Sequence, residues 1–255
     1  MKTSTFDEPD DGSSTLARTA DECEQPRLPF GLACKPPFLV VRFDEPVDTA
    51  GWSILKPGFA PAREIVWLEV HDRDLPIHVD PAAFLKERLK ANGLGEAAAF
   101  MTSRDIRCHH VAQSCVGGII ATCVATVGLS NAERVGSRRG SHVPATGTIN
   151  TLVHVSRPLS PGAFIEAVSI TTEARTAAIL ETSARHEGAF VTGTGTDCII
   201  VAAPKGDRPE TCAGLHTDLG EAIGAAVYDA TYAGAAEWIA KLIESSVTQG
   251  RRRTP

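Results

Sequence analysis

The sequence predicts an α/β or mixed α+β fold, with one main domain, residues 28–246, built on a central sheet flanked by helices. Apolar, β-branched runs bounded by turn-forming residues recur along the chain and read as strands. Other segments open on a capping residue followed by proline or an acidic partner and read as helices. In the C-terminal half, strand, helix, strand and helix alternate without an internal repeat, which is the order expected of helices packed on a sheet.

Taken in order, residues 1–27 are rich in Asp, Glu, Ser and Thr and poor in large apolar groups. They bury too little surface to offset the entropy of ordering and are predicted to form a disordered tail. Candidate strands are Phe38–Phe43, Glu64–Val70, Ala97–Met101, Gly118–Val127, Gly147–Val155 and Cys198–Ala202. Two of them, Ile119–Val127 and Ile199–Ala202, are apolar on both alternating faces, which suits central strands covered on both sides. A first helix starts at Asp80-Pro81 and ends near Gly93, and a second starts at Ser160-Pro161; both place a cap ahead of proline at the first helical position. A third starts at Thr217 or Asp218, where Asp218 and Glu221 have capping-box spacing, and runs to about Ile243. The last residues, 247–255, include Arg251-Arg252-Arg253 and read as a solvated basic tail.

The composition narrows the function. A formal net charge of -6 repels nucleic-acid phosphates, and no apolar run is long enough to span a bilayer. The first residues lack a basic stretch followed by an apolar one, so the expected location is the cytoplasm, with no membrane and no nucleic-acid partner. Seven cysteines, an odd number with no Cys-x-x-Cys pair, read as free thiols in a reducing compartment. Cys108-His109-His110 with Cys115 gathers four metal-ligand types, but at no standard zinc spacing. As a strand, the segment places Cys108 and His110 on one face and His109 on the other.

Three stretches are denser in small and polar residues than packing requires: Ser130–Gly136, Gly147–Asn150 and Thr192–Asp197. The last is a glycine loop that enters a strand, whereas phosphate-binding glycine loops leave a strand and enter a helix, so neither nucleotide motif is met. Such a loop either presents backbone N–H groups and threonine hydroxyls to a developing oxyanion or forms a tight turn bonded to its neighbours. His216, at a helix N-terminus, is kept neutral by the helix dipole. It is read either as a base or metal ligand, or as a cap residue bonded to nearby main chain. Glu173, with Arg175 on an alanine-rich helix, reads first as part of a solvated face.

In content and order, Gly147–Asn150, Leu159–Gly162, Thr172–Thr176, Thr192–Asp197, Ala213–Thr217 and Leu219–Glu221 resemble the adenosylcobinamide amidohydrolase family. Met101–Ser103 and Ser130-Asn131 fit as well, and the resemblance runs from about Phe38 to Ile243. Arg175 stands where the resemblance leads one to expect lysine, which keeps the charge and changes its geometry. The resemblance implies hydrolysis of the amide between the corrin propionyl arm and 1-amino-2-propanol in adenosylcobinamide, giving adenosylcobyric acid in cobalamin salvage.

Amide hydrolysis needs an activated nucleophile, donors for the oxyanion and a proton for the leaving amine. Laid over the matched segments, that requirement makes His216 the general base and proton carrier, helped by Asp218 or Glu221. The backbone of Gly193–Gly195, with Thr194 or Thr196, holds the oxyanion. Asp197, Asn131, Asn150 and Glu173 orient water or bind the ring's peripheral amides. The rival mechanism uses a threonine nucleophile among Thr192, Thr194 and Thr196. No metal-ligand set stands out, the cofactor is open, and the corrinoid is the substrate and the small-molecule partner; a homo-oligomer is compatible with all of this. The competing classes are a non-catalytic corrinoid-binding protein and an unrelated amidase with a threonine nucleophile. The whole assignment requires the Thr192–Asp197 turn and the His216 imidazole to converge on one cavity.

Overall fold

The computed structural model describes residues 27–137, 147–186 and 188–251. The expected disordered tail therefore lies, except for Arg27, outside the described residues. The chain forms strands β1 (Gly31–Lys35), β2 (Phe38–Trp52), β3 (Gly58–Glu69), β4 (Ala98–Thr102), β5 (His109–Val116) and β6 (Ile119–Val127). They are followed by β7 (Ala132–Glu133), β8 (Ile149–Val155), β9 (Arg185–His186), β10 (Ala189–Phe190), β11 (Gly193–Thr194) and β12 (Cys198–Ala203). Helices are α1 (Pro81–Ala91), α2 (Pro161–Glu181) and α3 (Asp218–Arg251). This is the mixed α/β class the sequence predicts, and no described helix is long and apolar enough to cross a membrane.

The helix starts follow local chemistry. The Asp80 carboxylate accepts from Ala82 N at 3.0 Å and the Ser160 hydroxyl from Ala163 N at 3.2 Å, each ahead of proline. α3 starts at Asp218, within the expected Thr217 or Asp218, but the capping reading of Asp218 with Glu221 needs correcting: the cap is Thr217, whose hydroxyl accepts from Gly220 N at 2.9 Å, and Asp218 is already helical. The same helix passes the expected end near Ile243 and continues to Arg251, so residues 247–251 of the expected tail are helical.

The main sheet has eight strands in the order β4-β3-β2-β12-β8-β6-β5, with β1 paired to the first half of β2. β12 runs parallel to β8 and antiparallel to β2. β2 is long because it serves two neighbours in turn: Phe38–Arg42 pairs with β1, and Asp48–Trp52 pairs with β12, with a register shift between Arg42 and Val47.

The sheet cannot be flat. β4 and β8 are four strand spacings apart along the path, or roughly 19 Å at about 4.8 Å each. Yet Asn150 of β8 donates its side-chain amide to Met101 O of β4 at 2.8 Å. One buried cluster likewise joins Leu39, Val41, Ile65, Trp67 and Phe100 to Val124, Leu152 and Ile200. The sheet therefore folds over itself and encloses this cluster between its two halves. The outer face of β6, β8 and β12 is covered by α2 and α3 through Phe164, Ile170, Ile223 and Val227. The outer face of β3 and β4 is covered by α1 through Leu85 and Leu89. The doubly apolar β6 and β12 follow directly, since one face of each meets helices and the other meets sheet.

His154 lies on the inner face of β8, with its ring 5.3 Å from Phe43 and 6.2 Å from Phe30. Burial pulls its pKa down to about 4. Since the unfolded chain takes up this proton nearer the ordinary histidine value, the neutral ring contributes stability that is complete above about pH 6.5 and lost as pH falls towards 4. Urea unfolding should show a decline on the order of 3 kcal/mol over that window beyond that of His154→Leu. Equal declines in the two proteins would remove His154 as the source.

Candidate active site

The parallel register of β8 and β12, with Cys198 opposite Asn150, sets the starts of the two strands side by side. The loops that enter them, Gly147-Thr148 and Thr192–Asp197, therefore meet at one end of the sheet. β11 pairs with β7 and brings Asn131 and Glu133 to the same place. Thr148 donates its hydroxyl to Thr196 O at 2.8 Å, and Thr196 donates its own to Gly147 O at 3.1 Å. Thr192 N donates to Glu133 O at 2.8 Å, and Gly195 N to Asn131 O at 3.2 Å. A Cβ on Gly147 would lie 2.8 Å from Asn131 N, so only glycine permits this approach.

Asp197 is the centre of the assembly. Its carboxylate accepts from Ile149 N at 3.0 Å, Thr194 N at 2.9 Å and the Thr194 hydroxyl, and it pairs with Arg175 of α2 at 3.3 Å. Both charged side chains are about nine-tenths buried, at 8% and 10% exposed. The Asp197 carbonyl accepts from Trp52 Nε1 at 2.6 Å, which fixes the turn to the end of β2. A Cβ on Gly193 would strike the carboxylate.

Among the other expected site residues, Thr192, Thr194, Thr196, Gly193, Gly195, Asn131 and Asp197 gather here. Asn150 is here as well, but it is fully buried and its amide is spent on Met101 O, so it joins the sheet halves instead of facing a ligand. The Thr194 and Gly195 N–H groups are also spent, on Asp197 and Asn131, so that part of the expected oxyanion backbone is not available. The Asn131 amide is the free donor: it faces Gly195 and forms no side-chain hydrogen bond among the described residues. Glu173 is exposed and accepts from Ser169 at 3.1 Å; two residues from Arg175 on a helix, it faces away from Asp197.

His216 and Glu221 do not join the loop. β8 and β6 start and end together, with Ile149 opposite Val127 at the loop end and Val155 opposite Ala121 at the far end. A Cβ on Gly117, in the β5–β6 turn of that far end, would strike the Asp218 carboxylate. The start of α3 is thus roughly 20 Å from the threonine loop, the length of β8 at about 3.3 Å per residue. The expected convergence fails because β12 runs parallel to β8, and the chain leaves β12 at the far end before His216 is reached. α3 then runs back along the sheet, where a Cβ on Gly234 would lie 2.7 Å from Val127.

What α3 brings back was missed in the sequence. The Glu237 carboxylate accepts from Arg104 Nη2 at 3.2 Å, pairs with His110 Nε2 at 2.8 Å and meets Lys241 one turn on. The expected strand alternation holds: Cys108 and His110 face α3, whereas His109 bonds Ile106 O at 2.7 Å. Only the Glu237–Lys241 spacing hinted at this centre. Cys198 is no nucleophile of the loop, since burial and the neighbouring Asp197 push its thiol up to about 11. An open cleft of about 530 Å³ adjoins the loop, lined by Glu133, Arg134, Gly136, Ser137 and Gly195.

At one end of a mixed α/β scaffold, a carboxylate-bound threonine hydroxyl and the Asn131 side-chain amide thus stand beside an open cleft. The chain belongs to the adenosylcobinamide amidohydrolase (CbiZ) family, whose model matches residues 24–242. The uncharacterized protein MJ1613 of Methanocaldococcus jannaschii is 38% identical over 84 residues, 32% of this chain and 32% of that protein, so the match spans about a third of each. The PH0078 protein from Pyrococcus horikoshii OT3 aligns over 77% of this chain and 76% of its own at 8% identity and a TM-score of 0.40. A Burkholderia sp. beta-aminopeptidase aligns over 79% and 78% at 12% identity and a TM-score of 0.36. At these scores no shared fold follows.

Removing one partner of a buried ion pair leaves the other charge unpaired, at a cost of about 3–5 kcal/mol. Arg175→Met should lower stability by that order in urea unfolding, and Arg175→Lys by clearly less, because the charge remains. Wild-type stability for Arg175→Met would show that the pair does not hold the loop.

Proposed function

We propose that the protein hydrolyses the amide joining 1-amino-2-propanol to the propionyl arm of adenosylcobinamide, releasing adenosylcobyric acid for cobalamin salvage in the cytoplasm. Family membership over residues 24–242 carries this reading. The loop geometry supports Thr194 as the attacking group, because among Thr192, Thr194 and Thr196 it alone gives its hydroxyl proton to a carboxylate. Arg175 keeps Asp197 in place as the proton acceptor. Attack forms a Thr194 ester, the C–N bond breaks, and the proton taken by Asp197 passes to the departing amine. Water then hydrolyses the ester. The Asn131 amide is positioned to donate to the carbonyl oxygen as it becomes an oxyanion.

Incubation with adenosylcobinamide should release aminopropanol and adenosylcobyric acid; binding without release would leave a corrinoid-binding protein instead. Thr194→Ala should reduce turnover roughly a hundredfold or more, with Thr194→Ser retaining part of the rate. Full activity in Thr194→Ala, folded as judged by thermal unfolding, would return the attack to water. His216→Ala should keep the wild-type rate, and a large loss there would contradict the placement of the site at the threonine loop.

A further inference from the structure

In adenosylcobinamide the amide to be cut hangs on an arm of the macrocycle, so the ring must rest within one arm's length of Thr194 and needs a broad apolar surface there. The cleft beside the loop offers none, since Glu133, Arg134, Gly136, Ser137 and Gly195 line it. Trp52 offers one. Its side chain is 40% exposed, and Nε1 donates to the Asp197 carbonyl at 2.6 Å, so a single residue links the indole to the carboxylate that binds the Thr194 hydroxyl.

The strand register extends that surface. Trp52 pairs with Ile199 and Ala50 with Val201, and both partners lie in the cluster under α2 and α3, so Trp52 stands on the helix side of the sheet. Phe59 pairs with Ala50, which makes it the diagonal neighbour of Trp52 on that same side, at roughly 7–8 Å. Phe59 is 58% exposed, meets Phe164 of α2 at right angles with 6.0 Å between ring centres, and borders a cleft of about 340 Å³ with Leu159, Pro161 and Phe164. The other exposed aromatic rings are occupied: Phe190 lies under the Arg185 guanidinium at 3.6 Å, and Tyr232 stacks on Tyr228 at 5.8 Å. Among the described residues, no cation or stacked ring lies on Trp52 or Phe59. Exposed apolar side chains standing singly need no explanation, whereas two aromatic ones side by side, one tied to the candidate loop, point to a ligand.

We propose, resting on the corrinoid reading of the site, that Trp52 and Phe59 form a platform that takes the apolar face of the corrin macrocycle and so brings its propionyl arm to Thr194. Large, rigid aromatic side chains suit a broad conjugated ring, because they bury much area through contacts of defined geometry. The Nε1 bond holds the indole against the turn, so platform and nucleophile are positioned by the same residue, Asp197. The platform sets a preference for amides whose acyl group carries a large flat ring over small ones.

Binding of adenosylcobinamide to the full chain is measured by equilibrium dialysis, with the corrin followed by its visible absorption, and release of aminopropanol is measured in parallel. Phe59→Ala, which leaves the Trp52 bond to Asp197 intact, should raise the dissociation constant and KM about tenfold with a much smaller change in kcat, and its thermal unfolding should stay near wild type. Trp52→Ala should weaken binding at least as much, and Trp52→Phe, which keeps an aromatic face without the Nε1 donor, should retain most of it. Were Trp52 only an anchor for the turn, Trp52→Phe would lose as much as Trp52→Ala and Phe59→Ala would bind like wild type; that pattern overturns the proposal. Binding by the wild type without release removes the hydrolysis, and weakened binding in Phe59→Ala then still supports the platform. Normal release with KM unchanged in Phe59→Ala removes the platform and leaves the hydrolysis, and a wild-type chain that binds no adenosylcobinamide overturns both.

Discussion

The carboxylate of Asp197 is the point on which this end of the molecule depends. A buried charge is tolerated only when paired and hydrogen-bonded, and Asp197 is both: Arg175 supplies the counter-charge, and Ile149 N, Thr194 N and the Thr194 hydroxyl supply donors. Each partner comes from a different part of the chain. One side chain thus joins the middle of α2, the first residue of β8 and the turn before β12, while its own carbonyl takes Trp52 from β2. The parallel register of β8 and β12 brings these segments to one end of the sheet, and the Asp197 contacts hold the threonine loop there.

The direction of α3 decides the second polar centre. Because the helix begins by the β5–β6 turn and returns along the sheet, its late residues, not its first, reach the loop end. Glu237 joins Arg104, which follows β4, to His110 on β5, so the helix is tied to both halves of the folded-over sheet by charge as well as by its apolar face. The threonine loop and the Glu237 centre thus lie at the same end of the sheet, each organised by one carboxylate.

Much of the fold was legible because its signals are local. The caps at Asp80 and Ser160, the prolines after them and the doubly apolar runs of β6 and β12 are each decided within a few residues. The two-residue strands β7, β9, β10 and β11 were not, since they are too short to show a period and exist only through their partners, and β1, with no fully buried residue, was missed as well. The chemical density of Thr192–Asp197 was also visible, as was the alternation that turns Cys108 and His110 to one side. The roles of its members were not. Asn150 was read as a ligand group and is a tie between the sheet halves, and His216 was read as the base but stands at the far end of β8.

By itself, then, the sequence determined the class of fold, the helix starts, the inward faces of the central strands, the family and the segment richest in chemistry. These are properties of neighbouring residues, whose propensities and spacing act without reference to the rest of the chain. Only the tertiary structure decided that the sheet doubles back, that Asp197 finds Arg175 and Ile149, and that α3 carries His216 away while bringing Glu237 and Lys241 in. Each of those depends on which strand lies beside which and in what direction. Pairings of that kind are settled by burial and hydrogen bonding between segments tens of residues apart, which no local pattern encodes.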